Sequence, residues 1–202
     1  MLRRSRTLTL VLAGPLSLFA YNPLHAVAST SGHSCDGVSA TRVVTSSSPH
    51  VVHGTDHRDV IDIEDAGHVV RAGGGRDLIC GSHGHDRIIG GPGSDTVLAS
   101  GGNDDVEGDG GDDNLDGQGG DDTISGGTGD DSLQGGNGDD DLQGDEGNDD
   151  VQGEDGNDDV QGDEGDDNVQ GGAGDDQNDD SEADSNDDNQ GDDGSSDGSV
   201  DG

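Results

Sequence analysis

An aspartate stands at every ninth residue across about half of the chain: Asp77, Asp86, Asp95, Asp104, Asp113, Asp122, Asp131, Asp140, Asp149, Asp158, Asp167 and Asp176. A glycine precedes each by two residues: Gly75, Gly84, Gly93, Gly102, Gly111, Gly120, Gly129, Gly138, Gly147, Gly156, Gly165 and Gly174. Glycine reaches φ > 0 without steric cost and lets backbones approach closely, so a G-x-x-G-x-D segment turns sharply with its carbonyls pointing inward. Carboxylate and main-chain oxygens gathered at a flexible turn are hard donors. They suit calcium better than zinc or copper, which prefer nitrogen and sulfur.

The elements that must position these oxygens are set by a nine-residue unit, repeated fourteen times over 54–179 without insertion or deletion. Its clearest copies read GGTGDDSLQ (126–134), GGNGDDDLQ (135–143) and GDEGNDDVQ (144–152). The eighth place is aliphatic in thirteen units, from Ile61 to Val169, and only Asn178 breaks the series. Places seven to nine read as a three-residue strand with one inward side chain, while the second place, Gln118 for example, varies. So short a strand persists only if identical strands stack on it, which makes the array a solenoid. Acidic, glycine-rich composition alone favours disorder, and Asp-Gly pairs turn without any metal. Composition bias does not, however, hold an aliphatic residue in phase over thirteen units.

The unit resembles the haemolysin-type, or repeats-in-toxin, calcium-binding nonapeptide G-G-x-G-x-D-x-U-x. The match covers about 126 of the 202 residues. The resemblance implies an all-β fold, a right-handed parallel β-roll in which two nonapeptides make one turn. Each calcium would sit between the loops of units n and n+2. The twelve aspartates would be the carboxylate ligands, the twelve glycines would shape the loops, and about ten calcium ions would be bound. The first two units depart from the pattern, with His57 and Ala66 in the glycine place and His68 in the aspartate place. Asp59 is accordingly the weaker ligand.

Around the array, residues 1–28 read as a secretory signal peptide. Arg3, Arg4 and Arg6 precede an apolar run from Leu8 to Ala20, and Ala26-Val27-Ala28 forms a small-x-small cleavage site. The apolar run is shorter than the ~20 residues of a spanning helix, so the chain is expected to be secreted and extracellular, with no membrane span. Arg3-Arg4 leaves general secretory and twin-arginine export both open. Residues 29–53 form a leader whose pairs Val43-Val44 and Val51-Val52 are expected to cap Ile61 and Val70. Residues 180–202, acidic and almost without apolar side chains, read as a disordered tail. Cys35 and Cys80 are the only cysteines, and an even count in an exported chain favours one disulfide, stapling the leader to the third unit. The surrounding C-x-G and D-L-I-C-G also resemble a pattern in secreted calcium-binding repeat proteins of actinobacteria.

The net charge is −39, there is no lysine, and no arginine follows Arg87. Nucleic acid is therefore excluded as a partner, as is an anionic membrane face without bridging calcium. The single Phe and single Tyr both lie within 1–28, so no ordinary globular core is available. His83 and His85 occupy variable places and read as solvent-facing rather than as a second metal site. H-E-x-x-H is absent, and no Ser or Cys sits beside a His in a setting that suggests a triad, so no enzyme is expected. The function expected is that of an extracellular calcium-binding structural protein. A calcium-dependent adhesin or matrix component, with a cell-surface or matrix partner, is the alternative. A toxin or enzyme fragment has no room for its active region.

Overall fold

The computed structural model describes residues 34–179. The expected signal peptide (1–28), the first leader residues (29–33) and the acidic tail (180–202) lie outside the described residues. β1 (Ser34–Cys35) and β2 (Val38–Ser39) form a small antiparallel hairpin, and every later strand is parallel to its neighbours. One sheet holds β3 (Arg42–Val44), β5 (Val60–Ile63), β7 (Leu78–Cys80), β9 (Thr96–Leu98), β11 (Asn114–Gly119), β13 (Ser132–Asn137), β15 (Asp150–Asp155) and β17 (Asn168–Ala173). The facing sheet holds β4 (Val51–Thr55), β6 (Val69–Gly73), β8 (Arg87–Pro92), β10 (Asp105–Gly110), β12 (Thr123–Thr128), β14 (Asp141–Glu146), β16 (Asp159–Gln161) and β18 (Gln177–Asp179). Successive strands alternate between the sheets, so the chain is an all-β parallel solenoid.

The register follows from the nine-residue period. Two units make one turn, so Val106 pairs with Ile124 and Leu115 with Leu133, eighteen residues on. Every eighth-place side chain therefore falls on the same inward row. From Ile61 to Val160 these aliphatic residues are buried in one continuous core, with Val169 packed against its end. From Gly108 onward the core is a single file of side chains between two sheets, because each unit contributes only one.

The roll starts before the repeats do. Val44 aligns with Ile63 and Val52 with Val70, so the leader's two valine pairs form an irregular first coil. Cys35 and Cys80 are joined in a disulfide that ties β1 to β7, and with Val60 and Leu78 they form a second apolar cluster outside the core.

The strands are longer than the three residues expected from the pattern. In β10 and β12 pairing runs over Asp105–Glu107, skips Gly108, and resumes at Asp109 and Gly110. The first-place glycine is a corner, and the second place turns back into pairing distance at positive φ. Asp109, Gln118, Asp145, Glu154 and Asp163 all take φ values of 69–78° there. The second place thus looks variable in type but is constrained in backbone, a constraint that glycine, aspartate and asparagine-like residues meet most readily.

Candidate metal-binding loops

The sixth-place aspartates lie at the turn between the sheets, and the eighteen-residue turn stacks them into two ladders. In one, the amide of Asp59 donates to Asp77, Asp77 to Asp95, and so on through Asp113, Asp131, Asp149 and Asp167. The other runs from Asp86 through Asp104, Asp122, Asp140 and Asp158 to Asp176. Each step is an N–H···Oδ1 bond of 2.7–3.0 Å. The second oxygen is treated differently. In Asp77, Asp95, Asp104, Asp113, Asp122, Asp131, Asp140, Asp149 and Asp158 it is buried without a hydrogen-bond donor, and in Asp86 Oδ1 is in that position. A buried carboxylate oxygen without a donor is costly, and a row of them calls for a compensating group.

The surroundings of that oxygen are themselves oxygen. A Cβ placed on Gly108 would lie 2.5 Å from Asp113 Oδ2 and 2.4 Å from the Gly126 carbonyl oxygen one turn on. Gly117, Gly126, Gly135, Gly144 and Gly153 repeat the arrangement with Asp122, Asp131, Asp140, Asp149 and Asp158. Each of these six glycines leaves open a cradle lined by a carboxylate oxygen and a main-chain carbonyl. Among the described residues no three His, Cys, Asp or Glu side chains converge on a point. A cation in these loops must therefore draw much of its shell from the backbone, the donor set of a hard, weakly directional ion such as calcium.

Electrostatics report the same imbalance. Burial pushes Asp95, Asp104, Asp140 and Asp149 up to about 6, and Asp113 and Asp122 up to about 7. The backbone hydrogen bond opposes this rise, while neighbouring carboxylates of the ladder add to it. Asp77, Asp86, Asp131 and Asp158 are raised for the same leading cause.

The fourth-place glycines serve close approach. At Gly120, φ is +127° and a Cβ would sit 1.8 Å from the Gly102 carbonyl oxygen of the preceding turn. The same contact recurs at Gly93, Gly111, Gly129, Gly138, Gly147, Gly156, Gly165 and Gly174, each over the glycine eighteen residues earlier. Gly75 and Gly102 meet backbone of the preceding turn at 2.6–2.7 Å, and Gly84 meets the Ala66 side chain instead.

Asp59 stands apart from the other aspartates. Its Oδ2 accepts from the Thr55 amide at 2.7 Å and the Thr55 hydroxyl at 2.9 Å, and its Oδ1 receives the Thr41 hydroxyl at 3.4 Å. Asp86 is closed in the same way by the amide and hydroxyl of Ser82. His68, in the aspartate place, is buried, with Nδ1 at 3.1 Å from the Asp65 carbonyl oxygen. His83 and His85 are exposed, and His85 Nδ1 contacts the Asn103 carbonyl oxygen.

Fifth-place residues form outer ladders that sequence reasoning passed over. The amide of Asp139 donates to Asp121, Asn157 to Asp139 and Asp175 to Asn157, with a matching row through Asp112, Asp130, Asn148 and Asp166. The signal was present, because from Asn103 to Asp175 the fifth place is only Asn or Asp.

The profile of the RTX calcium-binding nonapeptide repeat matches residues 69–97, 81–115, 89–124, 116–151 and 152–177, together more than half of the chain. This chain belongs to the haemolysin-type, RTX calcium-binding repeat family. No curated protein sequence matches it. No helix among the described residues is long and apolar enough to cross a membrane.

Proposed function

We propose that this protein is an exported calcium-binding rod whose folding is driven by the ions it binds outside the cell, with a structural rather than catalytic role. The observation that carries the reading is the row of buried carboxylate oxygens that no donor of the protein satisfies. Stacked carboxylates about one strand spacing apart, ~4.8 Å, repel by roughly 1 kcal/mol per pair in water and by more at a lower effective dielectric. A divalent ion between loops reverses the sign of that interaction and joins turn to turn, so binding free energy becomes folding free energy. The twelve aspartates paired n with n+2 give about ten ions. Export is supported by the sequence of residues 1–28 and by the disulfide, which persists in an oxidising compartment. Low cytosolic calcium would leave the array extended for passage and let it close on arrival.

The test is far-ultraviolet circular dichroism of the exported chain in chelator and then in rising calcium. Magnesium, which demands octahedral geometry and gives up water reluctantly, is the control. Calcium should produce a β-rich spectrum at millimolar concentration and magnesium should not. A spectrum unchanged at 10 mM calcium, or equally β-rich in chelator over its whole amplitude, overturns the reading.

A further inference from the structure

The roll is not uniform along its length. Past Gly108 the first place of every unit is glycine, whereas Ile63, Ala72 and Ala99 occupy it earlier and join the buried core. The outer face follows the same division. Val60 and Leu78 pack on the disulfide, and Ile89 is 4% exposed, while later strands carry Asp, Asn, Ser and Gln at the corresponding places. Early turns thus bury apolar side chains on both faces of a sheet, and later turns bury a single file.

The loops divide as well. Thr55 and Ser82 each close an aspartate with an amide and a hydroxyl, supplying from the protein the donors that later loops lack. Neither Thr55 nor Ser82 has the positive φ of the second place in later units. Both hydroxyls also organise their own loops, Thr55 through the His57 amide and Ser82 through the Gly84 amide. The second unit has no sixth-place carboxylate, because His68 stands there. Of the remaining early carboxylates, Asp77 lies near Arg58 and Asp86 near His68 and His85, while Asp95, at the end of the segment, has only carboxylate and backbone neighbours. Arg87 reaches over the junction to Asp105 and Glu107 of β10. From Asp113 to Asp158 the groups acting on each ladder carboxylate are other carboxylates and backbone amides.

We propose that residues 34–99 form a seed that is folded without calcium, and that residues 108–179 are the calcium-dependent extension that closes onto it. This rests on the calcium-coupled reading above and divides the array into a part that needs the ion and a part that does not. The hydroxyl of Thr55 replaces the cation at Asp59, so that loop adds nothing to the calcium count.

Hydrogen exchange of the full exported chain, disulfide intact, read by mass spectrometry in chelator and in calcium, tests the division. In chelator, peptides from 34–99 should retain at least about 100-fold protection and those from 108–179 should exchange within about 5-fold of an unfolded chain. Calcium should protect both. If both segments exchange as coil in chelator and gain protection with calcium, the seed is wrong while the calcium-coupled reading stands. If 108–179 is protected in chelator, the calcium-coupled reading itself fails. The double variant T55A/S82A should lower chelator-state protection of 34–99 by about 10-fold or more and leave 108–179 unchanged in calcium. No change in 34–99 would remove the hydroxyl closure from the argument. By calorimetry, Asp59→Asn should leave the calcium stoichiometry unaltered and Asp113→Asn should lower it. A loss of stoichiometry in Asp59→Asn would overturn the replacement at that loop.

Discussion

From Asp113 to Asp158 each sixth-place carboxylate does two jobs with two oxygens: one accepts the amide of the turn before, and the other faces carbonyl oxygen and awaits a cation. The first job is independent of metal and the second is not, so protons and calcium compete for the same oxygen. Folded-state values near 6 to 7 stand above the unfolded value of 3.8. The metal-free roll therefore holds protons that the unfolded chain releases. The stability contributed by these protons is fully present below about pH 4 and is lost as the pH rises through about 6 to 7. In calcium-free buffer the β signal should grow when the pH is lowered from 8 to 5. In calcium the apparent affinity should fall over the same change. Calcium titrations by circular dichroism at the two pH values check both, and identical curves would refute the linkage.

Position decides what a glycine replacement does. Gly120→Val drives a side chain into the Gly102 carbonyl at φ +127° and should shift the calcium midpoint of folding upward by about 10-fold or abolish the transition. Gln143→Val, on the exposed outer face of β14, should change the midpoint by less than about 2-fold. Gln118 is not a neutral control despite its variable appearance, because at φ +70° a β-branched residue is strained. Equal midpoints for the Gly120 and Gln143 variants would dismiss the close-approach argument.

At the scale of the element, a strand contributes one inward side chain, so each core position counts fully and its neighbours along the file cannot compensate sideways. Leu133 is 0% exposed between Leu115 and Val151. Leu133→Ala should cost about 2–5 kcal/mol of calcium-bound stability, read from denaturant unfolding in saturating calcium. The disulfide acts on a different element. It holds β1 on β7, where Val60 and Leu78 cover the outside of the sheet. Intact mass of native material should show no alkylation of Cys35 or Cys80 until a reductant is added. Thiols that react without reductant would contradict the bridge.

Taken whole, the described body is two eight-stranded sheets stacked along one axis, roughly 34 Å long at ~4.8 Å per turn. Its charge is distributed as unevenly as its packing, with every arginine before residue 88 and acid throughout the rest. Self-repulsion of the acidic turns opposes compaction until calcium enters. Small-angle scattering should accordingly record a contraction on adding calcium and none on adding magnesium. A radius of gyration insensitive to calcium would be incompatible with a calcium-folded array.

The periodic residues determined the fold: a glycine, an aspartate and an aliphatic side chain in fixed phase admit a parallel roll and an oxygen-rich loop, because a nine-residue unit with one apolar residue can bury it only by stacking. The oxygen donors were legible for the same reason, since residue type and spacing place them at the turn. Only the tertiary structure decided how the two oxygens of each aspartate are divided, that the second place sits at positive φ, and that the strands continue around the first-place corner. Those features arise from contacts eighteen residues apart, and a side chain's type does not record which amide of the preceding turn reaches it. Thr55 and Ser82 show the limit most plainly. In sequence they are two more polar residues at a variable place, and only the fold brings their hydroxyls onto the carboxylates of Asp59 and Asp86.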